Sequence, residues 1–72
     1  MDKKHTEVYE RFCASVDAAV GGWFKADRLT AIEQRERAQT TINGIVFAAL
    51  HVLKSEEYHD LVNYIHEKGF NH

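Results

Sequence analysis

The sequence predicts an all-α fold in which an antiparallel helical hairpin carries a short third helix. Three observations predict this class. Apolar residues recur at spacings of three and four along most of the chain. Residues that start and stop helices separate three such segments, and the 72 residues contain no proline. A chain of this length has room for one domain, so residues 1–72 are expected to form a single three-helix bundle.

The most apolar segment of the chain is 45–53, in which eight of nine residues are apolar and the ninth is His51. At about 100° per residue, Phe47 and His51 point to the side opposite the main apolar stripe, whereas an ordinary surface helix needs only one such stripe. Both sides of the segment are therefore expected to be covered, and His51 is expected to be buried. The main stripe consists of Ile42, Ile45, Val46, Ala49, Leu50 and Leu53.

The first helix is predicted at about residues 6–26. Its apolar stripe begins at Val8, continues for more than four turns, and ends at Trp23 and Phe24. Gly21-Gly22 leaves two alternatives, because each glycine costs about 1 kcal/mol relative to alanine inside a helix. The helix either stops near Val20 or continues to about Ala26. The phase of the pattern favours a continuous helix, since Trp23 and Phe24 rejoin the stripe.

The second helix is predicted at about residues 31–53. Thr30 and Glu33 have the spacing of a capping box, in which each side chain bonds a backbone N–H group of the other residue. Asn43-Gly44 would suggest a hairpin turn between strands. The flanking residues keep a helical period instead, so we expect a helix interior with a closely packed position at Gly44.

The third helix is predicted at about residues 56–68. Ser55 is a candidate N-terminal cap, and Glu56 and Glu57 suit the positive end of the helix dipole. Gly69 lies where a C-terminal cap belongs, and Phe70 is expected to fold back onto the last turn. The apolar stripe of this helix consists of Tyr58, Leu61, Val62 and Ile65.

Charge and cysteine content favour a cytoplasmic protein. The net charge of −2 gives no strong attraction to nucleic acid or to an anionic membrane. Cys13 is the single cysteine and is expected to be a plain, buried or half-buried thiol. Lys3 and Lys4 are not followed by the apolar stretch of a signal peptide, and no apolar run is long enough to span a bilayer.

No motif indicates catalysis, a cofactor or a metal. His59 and His66 share a helix face but are seven residues apart, whereas two ligands of one metal on a helix are three or four apart. His5, His59, His66 and His72 are interpreted as solvated or terminal. Cys13 and the serines lack the surroundings of an activated nucleophile. We therefore expect a protein that is not an enzyme.

Two sets of residues are candidates for interaction surfaces. The side of the second helix away from its main stripe is expected to contact another helix, and surplus apolar surface favours a second chain, hence a homodimer. The residues of this self-association surface are Thr40, Gly44, Phe47 and His51. The aromatic residues near the edges of their stripes are candidates for binding a different protein, because Trp and Tyr are enriched at interfaces. They are Trp23, Phe24 and Tyr64.

The hypothesis from sequence is a small protein-interaction module that inhibits or regulates a larger protein by binding it, as is typical of small proteins from phages and mobile elements. The alternative is a weak nucleic-acid-binding regulator of the helix-turn-helix type. Against it, the third helix carries four acidic residues and one lysine in 56–68, which phosphates would repel.

Overall fold

The computed structural model describes residues 5–71 of the chain. These residues form three α-helices and no strand: α1 (Glu7–Phe24), α2 (Ala31–Val52) and α3 (Ser55–Glu67). The all-α prediction is confirmed, with helix bounds within two residues of those expected. The sequence-based interpretations of Lys3, Lys4 and His72 concern positions outside the described residues.

Helix α1 packs against α2, and α3 packs against both. The indole of Trp23, near the end of α1, contacts Thr41 in the first half of α2, as in an antiparallel pair. The body measures 43 × 22 × 18 Å, so it is elongated along the two long helices. Nine buried residues form the core: Tyr9, Val16, Ala38, Ile42, Val46, Ala49, Leu61, Ile65 and Phe70.

Both glycine-containing segments are helix interior. Gly21 and Gly22 lie within α1, and Asn43 and Gly44 lie within α2, so the continuous-helix alternative is confirmed at both places. Helix α1 ends at Phe24 rather than near Ala26. There the Ala26 N–H donates to the carbonyl of Trp23 at 3.1 Å, a three-residue spacing that tightens the chain into a turn.

Local side-chain bonds fix where the first two helices start. The Thr6 hydroxyl accepts from the Tyr9 N–H at 3.3 Å. At the start of α2 the capping box is present, with the Glu33 N–H on the Thr30 hydroxyl at 3.1 Å and the Thr30 N–H on Glu33 Oε1 at 3.0 Å. The prediction that Ser55 caps α3 is wrong. Lys54 occupies the cap position without a side-chain bond, and Ser55 is the first helical residue.

Helix α3 ends in the expected glycine cap. Gly69 has a φ of +89°, its N–H donates to the carbonyl of His66 at 2.9 Å, and the Phe70 N–H donates to that of Ile65 at 3.2 Å. These two bonds define a Schellman motif. The turn directs the Phe70 ring into the core, where it is 2% exposed.

The core stripe of α2 is narrower than predicted. Val46 and Ala49 are fully covered, and Ile45 and Leu53 are half-buried, but Leu50 is 56% exposed. The reason is geometric: two neighbouring helices cover only one side of α2. The side of segment 45–53 that carries Phe47 and His51 is therefore not covered within the single chain.

Replacing Gly69 by alanine should destabilise the fold by about 1–2 kcal/mol, because an L-residue is strained at positive φ. Gly22 is the matched control, since it is helical and a Cβ added there meets nothing within 4 Å. Gly22→Ala should stabilise by up to about 1 kcal/mol. Urea unfolding of both variants measures the difference, and equal effects at the two glycines would contradict the cap.

Candidate interaction surface

The side of α2 that faces away from α1 and α3 is an uncovered, partly apolar surface. We call it the outer face of α2 and define it as Thr40, Asn43, Gly44, Phe47, Leu50 and His51, all of which are exposed. It lies opposite the buried residues Ile42, Val46 and Ala49. The four residues predicted from sequence for self-association thus share one open face.

Two aromatic rings dominate this outer face. Phe47 is 66% exposed, and its ring meets that of His51 edge-on, with 5.0 Å between centroids. The prediction that His51 is buried is wrong for the single chain, because α1 and α3 both lie on the other side of α2. Next to the rings, a Cβ at Gly44 would meet nothing within 4 Å, so the prediction of a closely packed position there is wrong for the single chain.

Polar atoms on the outer face are partly satisfied along the helix. The Thr40 hydroxyl donates to the carbonyl of Glu36 at 3.0 Å. Asn43 Oδ1 accepts from the amide of Gln39 at 2.9 Å. These bonds hold the polar side chains along the α2 surface and leave Phe47 as its most prominent group.

The charges along this side of α2 differ between its two ends. Glu33 and Glu36 are exposed at the N-terminal end, and Lys54 is exposed just beyond the C-terminal end. Two arginines in the first half of α2, Arg35 and Arg37, lie over aromatic rings and not along this side. The guanidinium of Arg35 lies 4.7 Å from the centroid of the Phe70 ring and donates to the carbonyl of Gly69.

The three aromatic residues predicted to bind a partner do not share one surface. Trp23 is half-buried beside α2, where its Nε1 donates to the Thr41 hydroxyl at 2.9 Å and Arg37 lies 5.5 Å from its ring centroid. Tyr64 is half-buried between α3 and α1. Phe24 has the largest exposed fraction of the three, 46%, and its ring centroid lies 6.1 Å from that of Phe70.

Tyr64 belongs to a polar cluster that joins α3 to α1. Its hydroxyl donates to Asp17 Oδ1 at 2.7 Å, and Lys68 Nζ lies 3.1 Å from the same oxygen. The Tyr64 hydrogen bond, with a smaller contribution from Lys68, holds the pKa of Asp17 below its usual value. Sequence reasoning missed this cluster, because Asp17 and Tyr64 are 47 residues apart and no local pattern links them.

A second polar contact ties the start of α1 to α3. His5 Nε2 lies 2.6 Å from Asp60 Oδ2, and the His5 ring stacks on Tyr9 with 4.0 Å between centroids. The Thr6 N–H and hydroxyl both donate to Glu57 Oε2, at 2.7 and 2.9 Å, and this holds the pKa of Glu57 below its usual value. The interpretation of His5 as merely terminal is wrong.

Hydrogen bonds and burial shift the pKa values of several side chains. Hydrogen bonds lower the pKa values of Asp17, Glu33 and Glu57, which therefore hold no proton near neutral pH. Burial raises the pKa of the Cys13 thiol and raises that of Tyr9 well above its usual range. Among residues 5–71, no group of three or more His, Cys, Asp or Glu side chains could hold a metal ion.

Comparisons with known proteins add no identification. No protein-family model matches the chain, and no match was found among the curated proteins or the solved structures. In the described part of the chain, none of the helices has the length and apolar character needed to cross a membrane.

Tyr64→Phe should raise the pKa of Asp17 toward its usual value of about 3.9, because it removes the main hydrogen bond to the carboxylate. A carboxyl group whose pKa is lower in the folded protein than in the unfolded chain stabilises the folded protein at pH values above the unfolded-state pKa. This contribution is lost as the pH falls through the folded-state pKa. The variant should therefore be less stable near neutral pH by at most about 1 kcal/mol, since the pair is half exposed, and the difference should shrink below about pH 3.

The measurements are an NMR titration of the Asp17 carboxyl and urea unfolding, near neutral pH and again below about pH 3. Lys68→Gln is the comparison, since Lys68 lowers the pKa of Asp17 less than Tyr64 does. A larger shift in Lys68→Gln than in Tyr64→Phe would contradict this assignment.

Proposed function

We propose that this protein is a small interaction module that acts by binding another protein, as an inhibitor or regulator, and that it self-associates through the outer face of α2. The observation that supports this proposal is the exposure of Phe47, at 66%, and Leu50, at 56%, on one side of a helix whose other side is fully buried. Single exposed apolar residues are ordinary, whereas neighbouring ones on a shared face are typical of interaction sites.

Size gives a physical reason for self-association. A domain of 72 residues buries a smaller share of its surface than a large domain does, and small domains often gain stability by oligomerisation. The chain cannot form an internal disulfide, because Cys13 is its single cysteine. Covering Phe47 and Leu50 would stabilise the assembly by about 25 cal/mol for each Å² of apolar surface removed from water.

The proposal excludes catalysis. An enzyme needs a nucleophile or an acid–base pair whose pKa lies near the working pH. Three groups do not fit such a role, since the pKa values of Asp17 and Glu57 are lowered and that of the Cys13 thiol is raised. We propose that the protein needs no metal or cofactor and works in the cytoplasm, where a lone thiol stays reduced.

For a second, different protein partner, Phe24 is the best of the three aromatic candidates. It is 46% exposed, and neighbouring Phe70 extends the apolar area inward. Trp23 and Tyr64 already use their polar atoms within the chain, on Thr41 and Asp17. Cations also lie over both of these rings, Arg37 over Trp23 and Lys68 over Tyr64. Phe24 is therefore the main apolar contact that we propose for such a partner.

Phe47→Asp should convert the dimer into a folded monomer, because a carboxylate on the outer face cannot be buried against a second chain without a large desolvation cost. Light scattering across a dilution series measures the mass, and circular dichroism checks the fold. Since Phe47 is mostly exposed, the fold itself should be little affected.

Val8→Asp is the matched control, since Val8 is 42% exposed but lies in the first turn of α1. That variant should remain a dimer. A wild-type protein that stays monomeric at every concentration would overturn the self-association part of the proposal, and a dimeric Phe47→Asp would remove the outer face from it.

A further inference from the structure

Gly44 is the position on the outer face that folding of the single chain does not explain. It lies in the interior of α2, where glycine costs stability relative to alanine. A Cβ there would meet nothing within 4 Å, so no neighbour in the chain requires the missing side chain. Close approach by something outside the chain is a physical reason for a glycine at such a place.

Phe47 has the size and position to make that approach from a second copy. Consider a two-fold axis perpendicular to α2, level with the midpoint between Ile45 and Val46. This axis places each residue of α2 opposite the residue of the second copy that is equally far from the midpoint in the other direction. It therefore sets Phe47 opposite Gly44 of the second copy, and Thr40 opposite His51. The ring would enter the hole between Thr40, Asn43 and Gly44 of the other α2, as a knob enters a hole in a coiled coil.

Charge along the same side of α2 selects the direction of the second helix. Glu36 and Lys54 are both exposed, Glu36 near the N-terminal end of α2 and Lys54 just beyond its C-terminal end. In this register Glu36 lies level with residue 55 of the antiparallel copy, one residue from Lys54, at both ends, and Glu33 adds to the acidic end. A parallel copy would instead set Lys54 against Lys54 and Glu36 against Glu36.

The neighbouring arginines do not cancel this complementarity. Arg35 is directed toward Phe70 and the carbonyl of Gly69, and Arg37 lies over the ring of Trp23. Antiparallel helix dipoles also add a small favourable contribution, since each positive end lies beside a negative one.

We infer that the occupant of the outer face is a second copy of this chain, docked antiparallel along α2 with Phe47 over Gly44 and Glu36 beside Lys54. This inference rests on the proposed self-association and specifies its geometry. It makes the interface two-fold symmetric, so each chain contributes both the ring and the glycine.

The first test uses the empty space at Gly44. Gly44→Ala should raise the melting temperature of the dilute, monomeric protein, because helix propensity improves and nothing clashes. The same change should weaken dimerisation about tenfold or more, because a methyl group would occupy the place of the Phe47 ring of the second copy. Gly22→Ala is the control, which should raise the melting temperature and leave the dimer constant unchanged.

The second test determines whether the two α2 helices of the dimer are antiparallel or parallel. It uses disulfide formation between introduced cysteines in a Cys13→Ala background. A mixture of Glu36→Cys and Lys54→Cys chains should form a mixed disulfide on oxidation, because the inferred antiparallel pair places these two positions next to each other and a disulfide requires Cα atoms within roughly 7 Å. Either variant alone should remain largely uncrosslinked.

The possible outcomes separate the two proposals. Efficient Lys54→Cys homodimer disulfides would show a parallel pair and overturn the inference. A stable dimer that forms no mixed disulfide, or whose constant does not respond to Gly44→Ala, would overturn it and leave self-association intact. A monomer at every concentration would overturn the proposed self-association as well.

Discussion

The fold depends on burial of one stripe of α2. That helix supplies four of the nine core residues, and the other helices contribute by covering them. Because α1 and α3 both approach from the same side, the opposite side of the apolar segment 45–53 stays open. Burial on one side and exposure on the other are thus a single consequence of how the three helices of residues 5–71 pack, with α3 13 residues long.

Polar contacts at the ends of α3 determine how it lies on α1. Thr6 bonds Glu57 near its start, and Tyr64 and Lys68 bond Asp17 near its end. These contacts are exposed or half-exposed, so each adds little stability. Their effect is on direction: they align α3 with α1, and the Schellman turn then places Phe70 in the core beneath Arg35.

The proposed binding through the outer face of α2 would require no change in the fold. The outer face of α2 is preformed on a rigid helix, and no part of the core has to open to expose Phe47. Pre-organised side chains lower the entropic cost of binding. A helix also holds the Phe47 ring and Gly44 at a fixed separation, as the inferred contact between two copies requires.

The sequence by itself determined the elements whose causes are local. The apolar period, the Thr30–Glu33 capping box and the glycine at 69 each act within about one turn, so three helices and two of their ends could be predicted. Four residues of the outer face also followed from helical phase. Only the tertiary structure decided that Leu50 and His51 remain open, that the arginines lie on aromatic rings, and that His5 meets Asp60. Those outcomes depend on which side of α2 its neighbours cover and on contacts between residues up to 55 positions apart, where the local pattern carries no information.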